Sequence, residues 1–158
     1  MAGIRRPAPR LAGAAAACVA VAVVGAGFAA GRSSESTGPG VVRLTDRQIA
    51  DQSFGPADGV GAGEVTRVSL YGSSQKSRAI GHGVLTCIDV GLNERSCTAT
   101  YILPRGMILT AGILKTRLLY VQAITGGTGV YDNARGTLTV TATAIKPRRE
   151  LLLFRLTG

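Results

Sequence analysis

From Val41 onward the chain alternates apolar and polar residues with a period of two, and turn-forming residues fall between the runs. The clearest run is T-L-T-V-T-A-T-A, which sets Thr137, Thr139, Thr141 and Thr143 on one face and Leu138, Val140, Ala142 and Ala144 on the other. Successive side chains of a strand point to opposite faces, so this pattern predicts a half-buried strand. Similar runs occur at Val65 to Tyr71, Gly83 to Val90, Cys97 to Leu103, Met107 to Leu114, Leu118 to Ile124 and Leu151 to Leu156. Val41 to Asp51 is an opening strand, with a short helical turn over Asp46 to Asp51 as the alternative.

The breaks carry turn chemistry: Gly72-Ser-Ser, Gly91-Leu-Asn-Glu, Leu103-Pro-Arg-Gly106, Thr125-Gly-Gly-Thr-Gly129 and Lys146-Pro-Arg-Arg. No window after residue 40 offers a long amphipathic helix. Eight short strands at hairpin spacing imply an all-β sandwich or an up-and-down barrel. About 118 residues close an eight-stranded barrel, whose interior is either packed or holds one small ligand.

Ile124 to Val140 reads I-T-G-G-T-G-V-Y-D-N-A-R-G-T-L-T-V. Its glycines resemble the phosphate cradle of a dinucleotide-binding fold, where backbone approaches a pyrophosphate at a helix N-terminus. That fingerprint needs a third glycine opening a helix, and Asp132 stands in its place before a β-patterned run. Only 22 residues follow Gly136, too few for the rest of a doubly wound sheet. The stretch is therefore read as a glycine-rich β-turn.

The amino end differs from the rest. Arg5, Arg6 and Arg10 precede Leu11 to Ala30, which carries no charge, the layout of a signal peptide over residues 1–30. Uncleaved, the same segment is long enough to anchor the chain in a membrane. Its Ala and Gly content makes it weakly hydrophobic, which favours cleavage. Two arginines also raise a twin-arginine route. Residues 31–40 then form a flexible mature start, and 41–158 the barrel domain. The expectation is a secreted or cell-envelope protein.

Removing residues 1–30 takes away three arginines and no acid, so the formal charge falls from +9 to +6. The remaining cations are scattered apart from Lys146, Arg148 and Arg149, and the chain has no tryptophan. Nothing here forms a stacking platform for nucleic acid. Cys87 and Cys97 make an even pair with strand-like flanks, which in an exported chain favours a disulfide across a hairpin. The sharper alternative is a catalytic thiol at Cys87, for which the single histidine, His82, would have to act as base. One histidine and two cysteines provide no closed tetrahedral metal set, so no metal is expected.

The segments A-I-T-G-G-T-G-V-Y-D-N-A-R-G-T-L-T-V, G-H-G-V-L-T-C and A-T-Y-I-L-P-R-G-M-I together resemble the dirigent and allene oxide cyclase barrel superfamily, in particular its short exported actinobacterial members. The resemblance covers roughly Val41 to Thr157. It implies an eight-stranded antiparallel up-and-down barrel with a ligand-sized lumen, assembled as a homotrimer and working without a cofactor. It implies isomerase-like or dirigent activity in which a reactive small molecule is folded into one conformer in a dry cavity.

On this resemblance Gly126, Gly127, Gly129 and Gly136 shape the turn. Arg135 either projects into the lumen or clamps the turn through its carbonyls. Some family members place an acid directly after G-G-T-G. Here that position is Val130, and Asp132 is the candidate substitute. Tyr101 and Tyr131 are candidates to stack on a ligand and donate a hydrogen bond. Arg135, Asp132 and Tyr101 are thus the catalytic candidates, and Tyr101, Tyr131 and Arg135 the ligand-binding ones. The expected function is an exported barrel that binds a small apolar or unsaturated ligand and steers its cyclisation or coupling. A non-catalytic secreted barrel, acting as ligand carrier or envelope interaction protein, is the alternative.

Overall fold

The computed structural model describes residues 40–72, 78–115 and 117–157. The expected leader or anchor and residues 31–39 of the mature start lie outside the described residues. Eight strands, β1 (Val41–Phe54), β2 (Gly63–Tyr71), β3 (Gly81–Gly91), β4 (Glu94–Leu103), β5 (Gly106–Leu114), β6 (Leu119–Gly127), β7 (Arg135–Ile145) and β8 (Arg148–Thr157), close a barrel in sequence order. All eight ladders are antiparallel, and β8 returns to β1. Of the sandwich and the barrel that the period-two pattern allowed, the barrel implied by the family resemblance is the observed fold.

Two local differences have clear causes. Asp46 to Asp51 stays extended, because Leu44 and Asp46 are buried while Arg43 and Arg47 are exposed, a two-residue alternation. A bulge between Gln48 and Ala50 absorbs the extra residue there. The glycine turn also starts later than its composition suggests. β6 runs through Gly127, and a single 3-10 turn, Gly129–Tyr131, follows.

The barrel interior divides into two halves. At one end Leu70, Tyr101, Ile108, Leu138, Val140, Leu152 and Phe154 are almost fully buried, and the Tyr101 and Phe154 rings meet edge to face with centroids 5.1 Å apart. Burying each such side chain contributes about 1.5–3 kcal/mol. The glycine turn closes this end. Thr128 N–H donates to Met107 O at 2.9 Å and Val130 N–H to Arg105 O at 3.0 Å, laying Tyr131 over the packed core. Gly129 adopts φ +65°, which permits the reversal.

Cys87 and Cys97 face each other across β3 and β4 and form the expected disulfide. A ring this small stabilises by roughly 2–3 kcal/mol in the chain-entropy model. The Cys87→Ala/Cys97→Ala double variant is expected to unfold at correspondingly lower urea concentration. In the native chain neither thiol should take an alkylating label before reduction; labelling of Cys87 in unreduced protein would contradict the bridge.

Candidate ligand cavity at the open end of the barrel

At the other end the inward positions of the strands are polar, and they surround a cavity of about 450 Å³. β1 contributes Asp46 and Gln48, β2 Glu64, Thr66 and Val68, and β3 Leu85, Cys87 and Asp89. Arg95 and Cys97 come from β4, Leu114 from β5, Tyr120 and Gln122 from β6, and Arg148 and Glu150 from β8. The walls thus combine an apolar band of Val68, Leu85, Leu114 and the disulfide with polar groups above and below it.

The floor is a buried polar cluster. Asp46 and Glu150 are opposite in the β1–β8 ladder and only 1% and 2% exposed. Glu150 N–H donates to Asp46 Oδ1 at 2.9 Å. The Glu150 carboxylate accepts from Tyr120 Oη at 3.2 Å and from Arg148 Nε at 2.7 Å. Beside it, Thr110 Oγ1 donates to Gln122 Oε1 at 3.0 Å, and Gln122 Nε2 donates to Cys97 O at 3.3 Å.

Arg148 pairs with Glu150, and the neighbouring Asp46 is buried beside that ion pair. Burial, reinforced by repulsion from Glu150, pushes the Asp46 carboxyl up to about 8, against the opposing pull of the Glu150 amide and Arg148. At neutral pH it carries a proton and is a hydrogen-bond donor at the base of the cup. Burial, followed by the Glu150 charge, raises the Tyr120 phenol as well, so it too remains a donor.

The rim is a network of ion pairs. Arg95 Nε donates to Asp89 Oδ1 at 2.7 Å, and its Nη1 reaches Glu64 Oε2 at 3.3 Å. Arg117 meets the same Glu64 oxygen at 3.2 Å, and Lys115 pairs with Glu94 at 3.0 Å. Burial alone would raise Glu64, but the Thr66 hydroxyl, Arg117 and Arg95 outweigh it and hold the carboxyl below its ordinary value. Among the described residues no group of His, Cys, Asp and Glu is placed to hold a metal ion.

The residues nominated from sequence are distributed differently. Tyr131 packs into the closed end, and Asp132 and Arg135 are exposed beside it. Arg135 Nη1 donates to Ala134 O at 2.9 Å, inside the turn, while Asp132 accepts from Asn133 Nδ2 at 3.3 Å. These three are not among the cavity-lining residues. Tyr101 lies between the halves: its ring is in the core, and its hydroxyl is buried with no hydrogen-bond partner among the described residues. Burial first, then Tyr120, Asp46 and Glu150, keep that hydroxyl protonated. His82 is exposed on β3, and Cys87 and Cys97 form part of the cavity wall.

The cluster of Asp46, Tyr120, Gln122, Arg148 and Glu150 was not anticipated. Its signal was strand parity. Asp46 continues the inward column of Val42 and Leu44, and Arg148 and Glu150 continue that of Leu152 and Phe154.

No protein-family model and no curated protein matches the sequence. Solved structures do match. A pyocyanin demethylase aligns with a TM-score of 0.62 and 24% identity over 74% of this chain and 99% of its own. A pterocarpan synthase dirigent protein aligns with a TM-score of 0.58 and 12% identity, covering 75% and 96%. An exo-specific intermolecular Diels-Alderase aligns with a TM-score of 0.55 and 18% identity, covering 72% and 97%. At these identities the likeness concerns architecture. The chain shares the closed barrel fold of these proteins.

Proposed function

We propose that this chain is an exported barrel that takes a small unsaturated molecule into the open-end cup and steers its cyclisation or coupling. The observation that carries this reading is a cavity of about 450 Å³ with a buried carboxyl, protonated at neutral pH, at its base. A cavity of that size encloses a small organic molecule and restricts its conformers. The apolar band of Val68, Leu85, Leu114 and the disulfide packs the carbon skeleton. Asp46 donates a hydrogen bond to a carbonyl or developing enolate oxygen, with Tyr120 and Gln122 alongside. In a dry site such a donor stabilises charge that develops during ring closure.

Fold neighbours that include a Diels-Alderase and a pterocarpan synthase dirigent protein support small-molecule chemistry in a barrel of this kind. Export is supported by the basic-then-apolar amino end, and by a disulfide suited to an oxidising compartment. Trimer assembly is supported by exposed Leu109, Ile113, Leu119 and Val121 on the outer faces of β5 and β6.

The reading is tested with the neutral fluorophore N-phenyl-1-naphthylamine and by native mass spectrometry of protein from its own host. The native chain is expected to bind the fluorophore and to retain a small molecule, and the same spectra give the mass of the assembly. Leu85→Trp, which fills the cup, is expected to weaken probe binding at least tenfold. Equal binding by Leu85→Trp would place the probe elsewhere and remove the support. With the retained molecule or its precursor in hand, the native chain should turn it over, and Asp46→Ala, which has no proton to donate, should turn it over slowly; absence of turnover by the native chain would favour a carrier.

A further inference from the structure

Five of the acids, Asp46, Glu64, Asp89, Glu94 and Glu150, line the cavity, where Arg95, Lys115, Arg117 and Arg148 pair with four of them. Arg43 and Arg47 of β1, Arg67 of β2 and Arg149 and Arg155 of β8 alternate instead with the inward positions of three adjacent strands, so they share one outer wall. Four of them are exposed, and Arg149 is half-buried. The ion pairs of the described residues involve Arg95, Lys115, Arg117 and Arg148, and none of these five.

Arg47 stands directly opposite Arg149 in the β1–β8 ladder. Like charges facing each other across an antiparallel pair destabilise it. Aliphatic side chains interleave with the arginines: Val41 and Ile49 are 60% and 53% exposed, and Leu151 and Leu153 half-buried. Two aromatic rings stand in the outward columns, Tyr71, which is buried, and Phe54 at the far end of β1, so the wall offers no row of exposed rings for base stacking. Cations spaced among aliphatics suit a layer of negative headgroups over hydrocarbon.

We propose that the β8–β1–β2 wall docks on the anionic surface of a lipid bilayer. The complementarity is of charge, arginine guanidinium to lipid phosphate. It is independent of the cavity at the barrel end and of the apolar β5–β6 wall. The barrel would lie on its side, with the cup mouth at the membrane surface.

The test is co-sedimentation of the full-length chain with vesicles of phosphatidylcholine alone or mixed with phosphatidylglycerol, at low and high salt. Every variant keeps the same Leu11 to Ala30 segment, so partitioning due to that segment is common to all. The native chain is expected to favour the phosphatidylglycerol vesicles and to lose that preference at high salt. Each basic residue near an anionic surface contributes about fivefold, so Arg43→Gln/Arg47→Gln should weaken partitioning about 30-fold.

Arg67→Gln/Arg155→Gln should do the same. Arg78→Gln/Arg105→Gln removes equal charge from elsewhere and should change partitioning less than about twofold. Thermal midpoints of the wall variants should hold or rise, since losing Arg47 relieves Arg149. Equal losses from all three pairs would reduce the effect to net charge and overturn the proposal. So would equal affinity for neutral vesicles, or tighter binding to a duplex DNA oligonucleotide than to vesicles.

Discussion

Replacing Asp46 by Asn is expected to flatten the pH dependence of stability between about pH 4 and pH 8, and to leave the variant harder to unfold than the native chain above pH 8. In the fold the Asp46 carboxyl holds its proton up to about pH 8, whereas the unfolded chain releases it near 3.8. Between those values the unfolded state binds fewer protons. Stability from this group is therefore full below pH 4, falls as pH rises, and is gone above about pH 8. The span corresponds to something on the order of 5 kcal/mol.

Asparagine does not ionise, yet its amide oxygen still accepts the Glu150 N–H. Glu64 acts in the opposite sense: its lowered value adds stability above about pH 4.5 that disappears in stronger acid. Together they place the native optimum in mildly acidic solution. Urea midpoints from pH 4 to 9 for both chains check this. Parallel curves would mean that Asp46 is ionised in the fold, and the cup would lose its donor.

The second large effect lies at the far end. Gly127→Ala is expected to cost about 3 kcal/mol or more. A Cβ there would sit 2.2 Å from Tyr131 O and 2.7 Å from Met107 O, both backbone atoms that cannot turn aside. At Gly126, one residue earlier, the nearest atom is the flexible Arg135 Nη1 at 3.9 Å, so Gly126→Ala should be close to neutral. Both variants should bind the neutral fluorophore as the native chain does while folded, because the turn is remote from the cavity. Equal tolerance of the two alanines in thermal unfolding would show that the turn does not hold the closed end.

The architecture was legible because it depends on local periodicity. Thr137 to Ala144 alternates so regularly that its strand and buried face follow at once, and Gly91-Leu-Asn-Glu marks a hairpin that the Cys87–Cys97 bridge then clamps. The site was less legible because it depends on register around a closed sheet. Asp46 and Glu150 are 104 residues apart and become neighbours only when β8 closes on β1.

Side-chain volume hid the rest. Tyr101, Phe154 and Tyr131 fill one end, and that decides which end stays open; alternation alone makes both ends equivalent. A buried Asp also looks like a surface Asp in sequence. Conspicuous G-G-T-G therefore drew attention to the end built for packing, and unremarkable R-L-T-D-R-Q contained the base of the cavity.

The division of the barrel into a packed end and an open end has an evolutionary consequence. Residues that secure the fold and residues that meet a ligand occupy different layers of the same strands. Substitutions at the mouth, in the hairpins after β1, β3, β5 and β7, leave the aromatic layer untouched. Selectivity can drift there while the foundation is conserved by its own packing demands, so lineages of such barrels should diversify in chemistry at one end only.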